Sequence, residues 1–167
     1  PVQRETLSRP NMVRLLLQLH CEPSTVFTLR VRIPWWVQGK PVVTIDGAEQ
    51  DFEVEGGYLL LHRTWTNEKV TVAFAKTITC HPLPDAPHTV AFLDGPVVLA
   101  GLCQEERTLY GDPEHPAELL APRYERRWQE WTNYWKTVNQ PVNIDFMPLY
   151  QIGNQPYTVY FPIEEKH

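Results

Sequence analysis

The sequence predicts an all-β protein made of two small β-sandwich (jelly-roll-like) units, and three observations lead there. Apolar and polar residues alternate with period two through much of the first half, as expected of strands with one buried face. Strand-like stretches recur roughly every 8–12 residues with turn signals between them. Sixteen prolines among 167 residues are about twice the usual share. Proline is excluded from helix interiors and central strands, so it cuts the chain into short pieces.

Composition narrows the function classes. At 43% hydrophobic and 21% charged residues the chain can bury a core, as one domain or two small ones. A net charge of -5 argues against a nucleic-acid or anionic-membrane partner, since both need clustered positive charge. No apolar run is long enough to span a bilayer, and the start does not read as a signal peptide. The chain opens at Pro1 without Met, which reads as a processed product, a cloned segment or a chain lacking its natural beginning. Cys21, Cys80 and Cys103 are far apart and odd in number. That is neither a C-x-x-C motif nor a disulfide framework, and buried free thiols are the expectation.

The elements follow in order. Val13 to Cys21 reads as a strand closed by Glu22-Pro23-Ser24. In Phe27-Thr28-Leu29-Arg30-Val31-Arg32-Ile33 the alternation is unbroken. Phe27, Leu29, Val31 and Ile33 therefore turn inward and Thr28, Arg30 and Arg32 face water. Pro41 to Ile45 runs into Asp46-Gly47, a hairpin signal because glycine accepts the positive φ of a primed turn. Gly56-Gly57 opens Tyr58 to Trp65, and Asn67-Glu68 turns it into Val70 to Phe74. The run from Cys80 to His88 is too rich in proline for regular structure and is the expected boundary, giving units 1–88 and 89–167. Thr89 to Leu93 and Val97 to Leu102 read as strand pieces bent at Asp94-Gly95-Pro96. A long surface excursion is expected over 104–125, with a helical turn within Pro116 to Leu120. Trp128, Trp131 and Trp135 fall at i, i+3 and i+7, so a short helix is expected near 126–137, although Trp, Tyr and Thr also favour strands. Val142 to Leu149 and Tyr157 to Phe161 return to strands, with Tyr157, Val159 and Phe161 on one face.

No constellation demands catalysis. A glycosidase needs two carboxylates across a scissile bond, whereas Glu53 and Glu55, two apart on a strand, share one face and repel. Asp46 and Asp94 precede glycine and are explained by turn chemistry. Cys80 and His81 are adjacent, and neighbours in extended chain point to opposite faces, which works against a thiol–imidazole pair. The histidines show no helical zinc spacing, and there is no G-x-S-x-G or phosphate-cradling glycine loop. No catalytic residue, metal site or cofactor is therefore assigned. Trp35-Trp36 follow Pro34 where a strand ends. An aromatic face exposed there can stack on a sugar ring, which makes Trp35 and Trp36 the candidate carbohydrate-binding residues. The alternative is one ring in the core and the other at a domain interface.

Several motifs carry a resemblance, in order. Phe27-Thr28-Leu29-Arg30-Val31-Arg32-Ile33-Pro34-Trp35-Trp36 resembles the F-x-L-R-x-R-I-P-x-W segment of glycoside hydrolase family 127, the β-L-arabinofuranosidase-like group. Asp46-Gly47 sits at its N-G turn, and Gly57-Tyr58-Leu59 with Arg63-Thr64-Trp65 resembles its G-Y-L…R-x-W strand. Val90 to Ala100 resembles its V-A-x-x-x-G-P-L-V strand pair. Phe146-Met147-Pro148-Leu149-Tyr150 and Tyr157 to Phe161 resemble its closing strands. The resemblance implies a non-catalytic accessory β-sandwich region that packs against an N-terminal (α/α)6 barrel absent from this chain. In the family that barrel holds the acid/base, the cysteine nucleophile and, where present, the zinc ion. The family's adjacent Cys-Cys pair has no match here, so no catalytic residue carries over. The implied partners are the chain's own barrel, a glycan ligand and a second copy in a homodimer. The rival readings are a carbohydrate-binding module and, last, a stand-alone enzyme.

Overall fold

A computed structural model describes residues 2–9, 11–123, 126–127, 130–131 and 133–165. The chain divides between Lys76 and Thr77 into two compact units, where the sequence suggested 88. Both are built almost wholly of antiparallel strands.

The first unit contains β1 (Val2–Arg9), β2 (Met12–Leu19), β3 (Thr25–Arg32), β4 (Val42–Ile45), β5 (Ala48–Glu49), β6 (Glu53–Glu55), β7 (Tyr58–Trp65) and β8 (Lys69–Ala75). One sheet has the order β1-β2-β8-β4-β5 and the other β3-β7-β6. Both sheets supply the core, with Leu17, Leu19, Val43, Ile45, Val70 and Val72 from the first and Val31, Leu59, Leu61 and Trp65 from the second. The period-two reading of β3 holds. Val31 is buried, Phe27 and Leu29 are half-buried, and Thr28, Arg30 and Arg32 are exposed. Both hairpin turns behave as their sequences require: φ is +50° and +85° at Asp46 and Gly47, and +57° and +80° at Gly56 and Gly57. Paired left-handed residues give a two-residue loop the twist of its flanking strands. Asp46 Oδ1 also accepts the Lys69 N–H at 2.9 Å, tying the turn to β8. Strand β1 had no alternation to betray it.

The second unit contains β9 (Ile78–Leu83), β10 (Ala86–Asp94), β11 (Val97–Gly101), β12 (Leu109–Tyr110), α1 (Pro116–Leu119), β13 (Leu120–Arg123), β14 (Arg126–Arg127), β15 (Glu130–Trp131), β16 (Tyr134–Thr137), β17 (Asp145–Pro148), a 3-10 turn at Leu149–Gln151 and β18 (Tyr160–Glu164). The main sheet runs β12-β18-β10-β11-β17-β16-β13, with β9 also on β10. Its core holds Phe92, Leu99, Leu109, Leu119, Leu120, Trp135, Phe146 and Phe161.

Five expectations change here. The proline-rich run is regular, because among the described residues β9 pairs only with β10 and Pro87 falls where the register shifts between Ala86 and Val90. Edges and bulges are where a sheet tolerates a residue without N–H. Residues 104–125 are not a mere surface excursion. They carry β12, α1 and β13, and Leu109, Leu119 and Leu120 are buried. The described residues of 126–137 are strands, not a helix. Trp135 and Thr137 point inward and Lys136 outward, a period of two that packing imposes over the 3.6-type tryptophan spacing. Trp128 lies outside the described residues. Finally, Asp94-Gly95-Pro96 closes a hairpin, with Leu93 opposite Val98 and Asp94 opposite Val97, and β18 starts at Tyr160, which leaves Tyr157 exposed. The helical turn expected within Pro116 to Leu120 is α1.

Two local devices hold this unit. Tyr110 has Gln140 beside it: its N–H donates to Oε1 at 2.8 Å and its carbonyl accepts from Nε2 at 2.9 Å. A single amide thus supplies the bonds of a strand neighbour. Gly101 lies against the aromatic core, where an added Cβ would sit 2.4 Å from Phe161 Cζ and 3.0 Å from Phe146 Cζ. Overpacking of this kind costs about 1–3 kcal/mol. Gly101→Ala should therefore destabilise the second unit by about that amount, seen as a lower urea midpoint in near-ultraviolet circular dichroism.

Candidate functional site

Trp35 and Trp36 occupy the centre of a turn in which the Val37 N–H returns to the Pro34 carbonyl at 3.2 Å. The turn sends the two rings different ways. Trp36 is half-buried and meets Phe74 edge-on at 6.1 Å between centroids. Trp35 is 68% exposed. Sequence adjacency does not make them one platform.

Cys80 and His81 are separated as strand geometry requires. Cys80 packs against the core of the second unit, while His81 is exposed. Burial, with a smaller contribution from the Asp112 charge, pushes the Cys80 thiol up to about 12. It stays protonated at neutral pH and is a poor nucleophile. Cys103 packs against the same core and its thiol is likewise raised by burial. Cys21 packs against the core of the first unit. Among the described residues, no three His, Cys, Asp or Glu gather into a metal-binding group. The barrel zinc implied by the resemblance thus finds no fitting ligand set here. Iodoacetamide at pH 8 should label Cys80 slowly in the folded chain and rapidly in urea, as peptide mass spectrometry would measure.

The carboxylates differ in what they touch. Glu53 and Glu55 are exposed on β6. Glu68 is buried and caps its own turn. Its Oε2 accepts the Thr66 N–H at 2.7 Å, its Oε1 accepts the Thr66 hydroxyl at 3.0 Å, and Arg63 lies 4.0 Å away. The backbone bond from Thr66 is the main cause holding Glu68 below its ordinary 4.5, against the opposing effect of burial. A lowered carboxylate stabilises the fold above its unfolded value, and that contribution disappears as pH falls through the folded value. Glu68→Gln should be less stable at pH 7, and its thermal midpoint should fall less than that of the parent between pH 5 and pH 3.

One concavity stands out in the first unit, a groove of about 1080 Å³. Its floor includes Ile45 and Leu61. One side is Gln50, Asp51, Phe52 and Glu53, and the other is the end of β7 at His62, Arg63 and Thr64, with Thr28 beyond. Thr28 Oγ1 and His62 Nδ1 are 2.8 Å apart, and Lys40 Nζ lies 4.8 Å from the Phe52 ring centroid. None of these residues was a site candidate from the sequence. The groove opens where β6, with three residues, stops short of β7, with eight.

Residues 2–75 match the model of the beta-L-arabinofuranosidase GH127 middle domain. The matched stretch is the first unit of the chain. Solved GH127 proteins carry the same fold. The GH127 β-L-arabinofuranosidase of Geobacillus stearothermophilus T6 superposes with a TM-score of 0.67 at 21% identity, over 99% of this chain and 31% of that one. A second GH127 β-arabinofuranosidase gives 0.70 at 19% identity, over 98% and 31%. A structure described as a glycoside hydrolase gives 0.67 at 18%, over 97% and 32%. The chain thus spans about a third of the length of the GH127 enzymes it matches. No curated protein matches the sequence.

Proposed function

We propose that this chain is the accessory β-sandwich region of a β-L-arabinofuranosidase-like glycoside hydrolase, and that its work is to pack against an N-terminal (α/α)6 barrel which carries the chemistry. The match of residues 2–75 to a GH127 middle domain carries this reading. It is supported by the share of the solved enzymes that the chain spans, 31%. The chain alone should not hydrolyse an aryl β-L-arabinofuranoside. Fused behind its barrel it should be needed for soluble, active enzyme, and removal of residues 2–75 should abolish most of the activity. A truncated enzyme with full activity and an unchanged thermal midpoint would refute the structural role. The two accessory units are proposed as 1–88 and 89–167, and the compact division between Lys76 and Thr77 offers a second place to cut for such work.

A second reading rests on Trp35, whose ring is 68% exposed. In a carbohydrate-binding module this ring would stack on a sugar, and Trp36 would brace the turn through Phe74. Trp35→Ala should then weaken retention on arabinan in affinity electrophoresis by about tenfold and leave stability within about 0.5 kcal/mol. Unaltered migration of both parent and variant on arabinan would exclude it.

A further inference from the structure

The end of β7 offers backbone groups that no strand among the described residues uses. Gly56-Gly57 makes a two-residue turn between Glu55 and Tyr58, so these two residues exchange both backbone bonds. The same parity follows from the other edge. The Ile33 N–H donates to the Gly57 carbonyl at 2.8 Å, so the odd-numbered residues of β7 direct their backbone at β3. Tyr58, Leu60, His62 and Thr64 direct theirs the opposite way. Strand β6 meets Tyr58 and Leu60 with Glu55 and Glu53 and ends there. The chain before it has left for the other sheet, where the Gln50 N–H donates to Val43 O at 2.9 Å. Among the described residues, no strand pairs with β7 beside His62 and Thr64 on that edge. By that parity their two N–H and two C=O groups lie on the unpaired edge, and both residues line the groove.

Two donors and two acceptors at a two-residue repeat form the template of a missing strand. The surroundings say what kind. A segment laid along this edge sends alternate side chains to opposite faces. One set would meet the apolar floor at Ile45 and Leu61, and the other would stand beside the carboxylates of Asp51 and Glu53. We propose that the β7 edge at His62 and Thr64 is a strand-addition site for an extended polypeptide segment in which apolar and basic residues alternate. The inference rests on the fold of the first unit and is independent of the enzyme assignment.

The test uses the 167-residue chain, 15N-labelled, and the peptide acetyl-Val-Lys-Val-Lys-Val-amide as probe. Saturable amide shifts should centre on residues 61–64, and exchange of the His62 and Thr64 N–H groups, fast in the free chain, should slow on binding. A peptide N-methylated at alternate amides keeps its side chains and loses two backbone bonds, so it should bind at least about tenfold more weakly. Glu53→Lys, at an exposed position of a three-residue strand, should shift preference to the Val-Glu-Val-Glu-Val analogue. Absence of saturable shifts at millimolar peptide would overturn the proposal, as would equal binding of the N-methylated peptide. So would slow exchange at His62 and Thr64 in the free chain. Arabino-oligosaccharides shifting these amides at lower concentration than the peptide would overturn it in favour of a glycan site.

Discussion

The indole N–H of Trp65 is the group that the first sandwich is organised to satisfy. The ring is fully buried, and an unpaired donor there would cost about 1–3 kcal/mol. It donates to the Phe27 carbonyl at 3.0 Å, and the ring stacks on Phe27 with centroids 5.7 Å apart. That bond joins the side chain of β7 to the backbone of β3, so it is compatible with one register. In that register Leu29 faces Leu61 and Val31 faces Leu59, which fills the inner face with aliphatic pairs. A slip by one residue would turn the whole set to solvent. The Arg63 guanidinium, 5.3 Å from the Trp65 ring centroid and 4.0 Å from Glu68, connects the buried indole to the carboxylate-capped turn that leads into β8.

The second unit solves its core differently. Phe92, Phe146 and Phe161 form a triangle with centroid separations of 5.7, 6.3 and 5.0 Å. They come from β10, β17 and β18, strands far apart in sequence, and the absence of a side chain at Gly101 gives the rings their space. Aromatic pairs in tilted or edge contact add to simple area burial. A core of this kind is specified by shape, whereas that of the first unit is specified by one donor and one acceptor.

Legibility in the sequence follows the same division. The alternation of Phe27 to Ile33 and the turn glycines at 47, 56 and 57 are local signals with local causes, and their elements stand as read. The tryptophans at 131 and 135 and the prolines at 82 and 87 read otherwise in the sequence because pairing with a neighbouring strand decides their conformation, and residue spacing along one segment does not show that pairing. Leu119 and Leu120 looked like part of a polar loop, since burial in a second-unit core leaves no periodic trace in so short a stretch. Of the candidate site, the chemistry of Trp35 was visible but its separation from Trp36 was not, because a turn decides that. The bare end of β7 was hidden for a subtler reason. Gln50 to Phe52 carry no breaker residue, and only the bond from Gln50 to Val43 shows that the chain has changed sheets.

The amide of Gln140 gives the Tyr110 backbone the partner that a neighbouring strand would give, but a side chain ages in ways a peptide group does not. Hydrolysis of that amide to a carboxylate would leave one hydrogen bond intact and set an anionic oxygen against the Tyr110 carbonyl in place of a donor. The change is a single atom, and it would fall where β12 joins the edge of the sheet beside β18. Pro141 follows Gln140 and has no N–H with which to close a cyclic imide, so the easy route to that carboxylate is blocked and this side-chain joint is kept as durable as the ladder it stands in for.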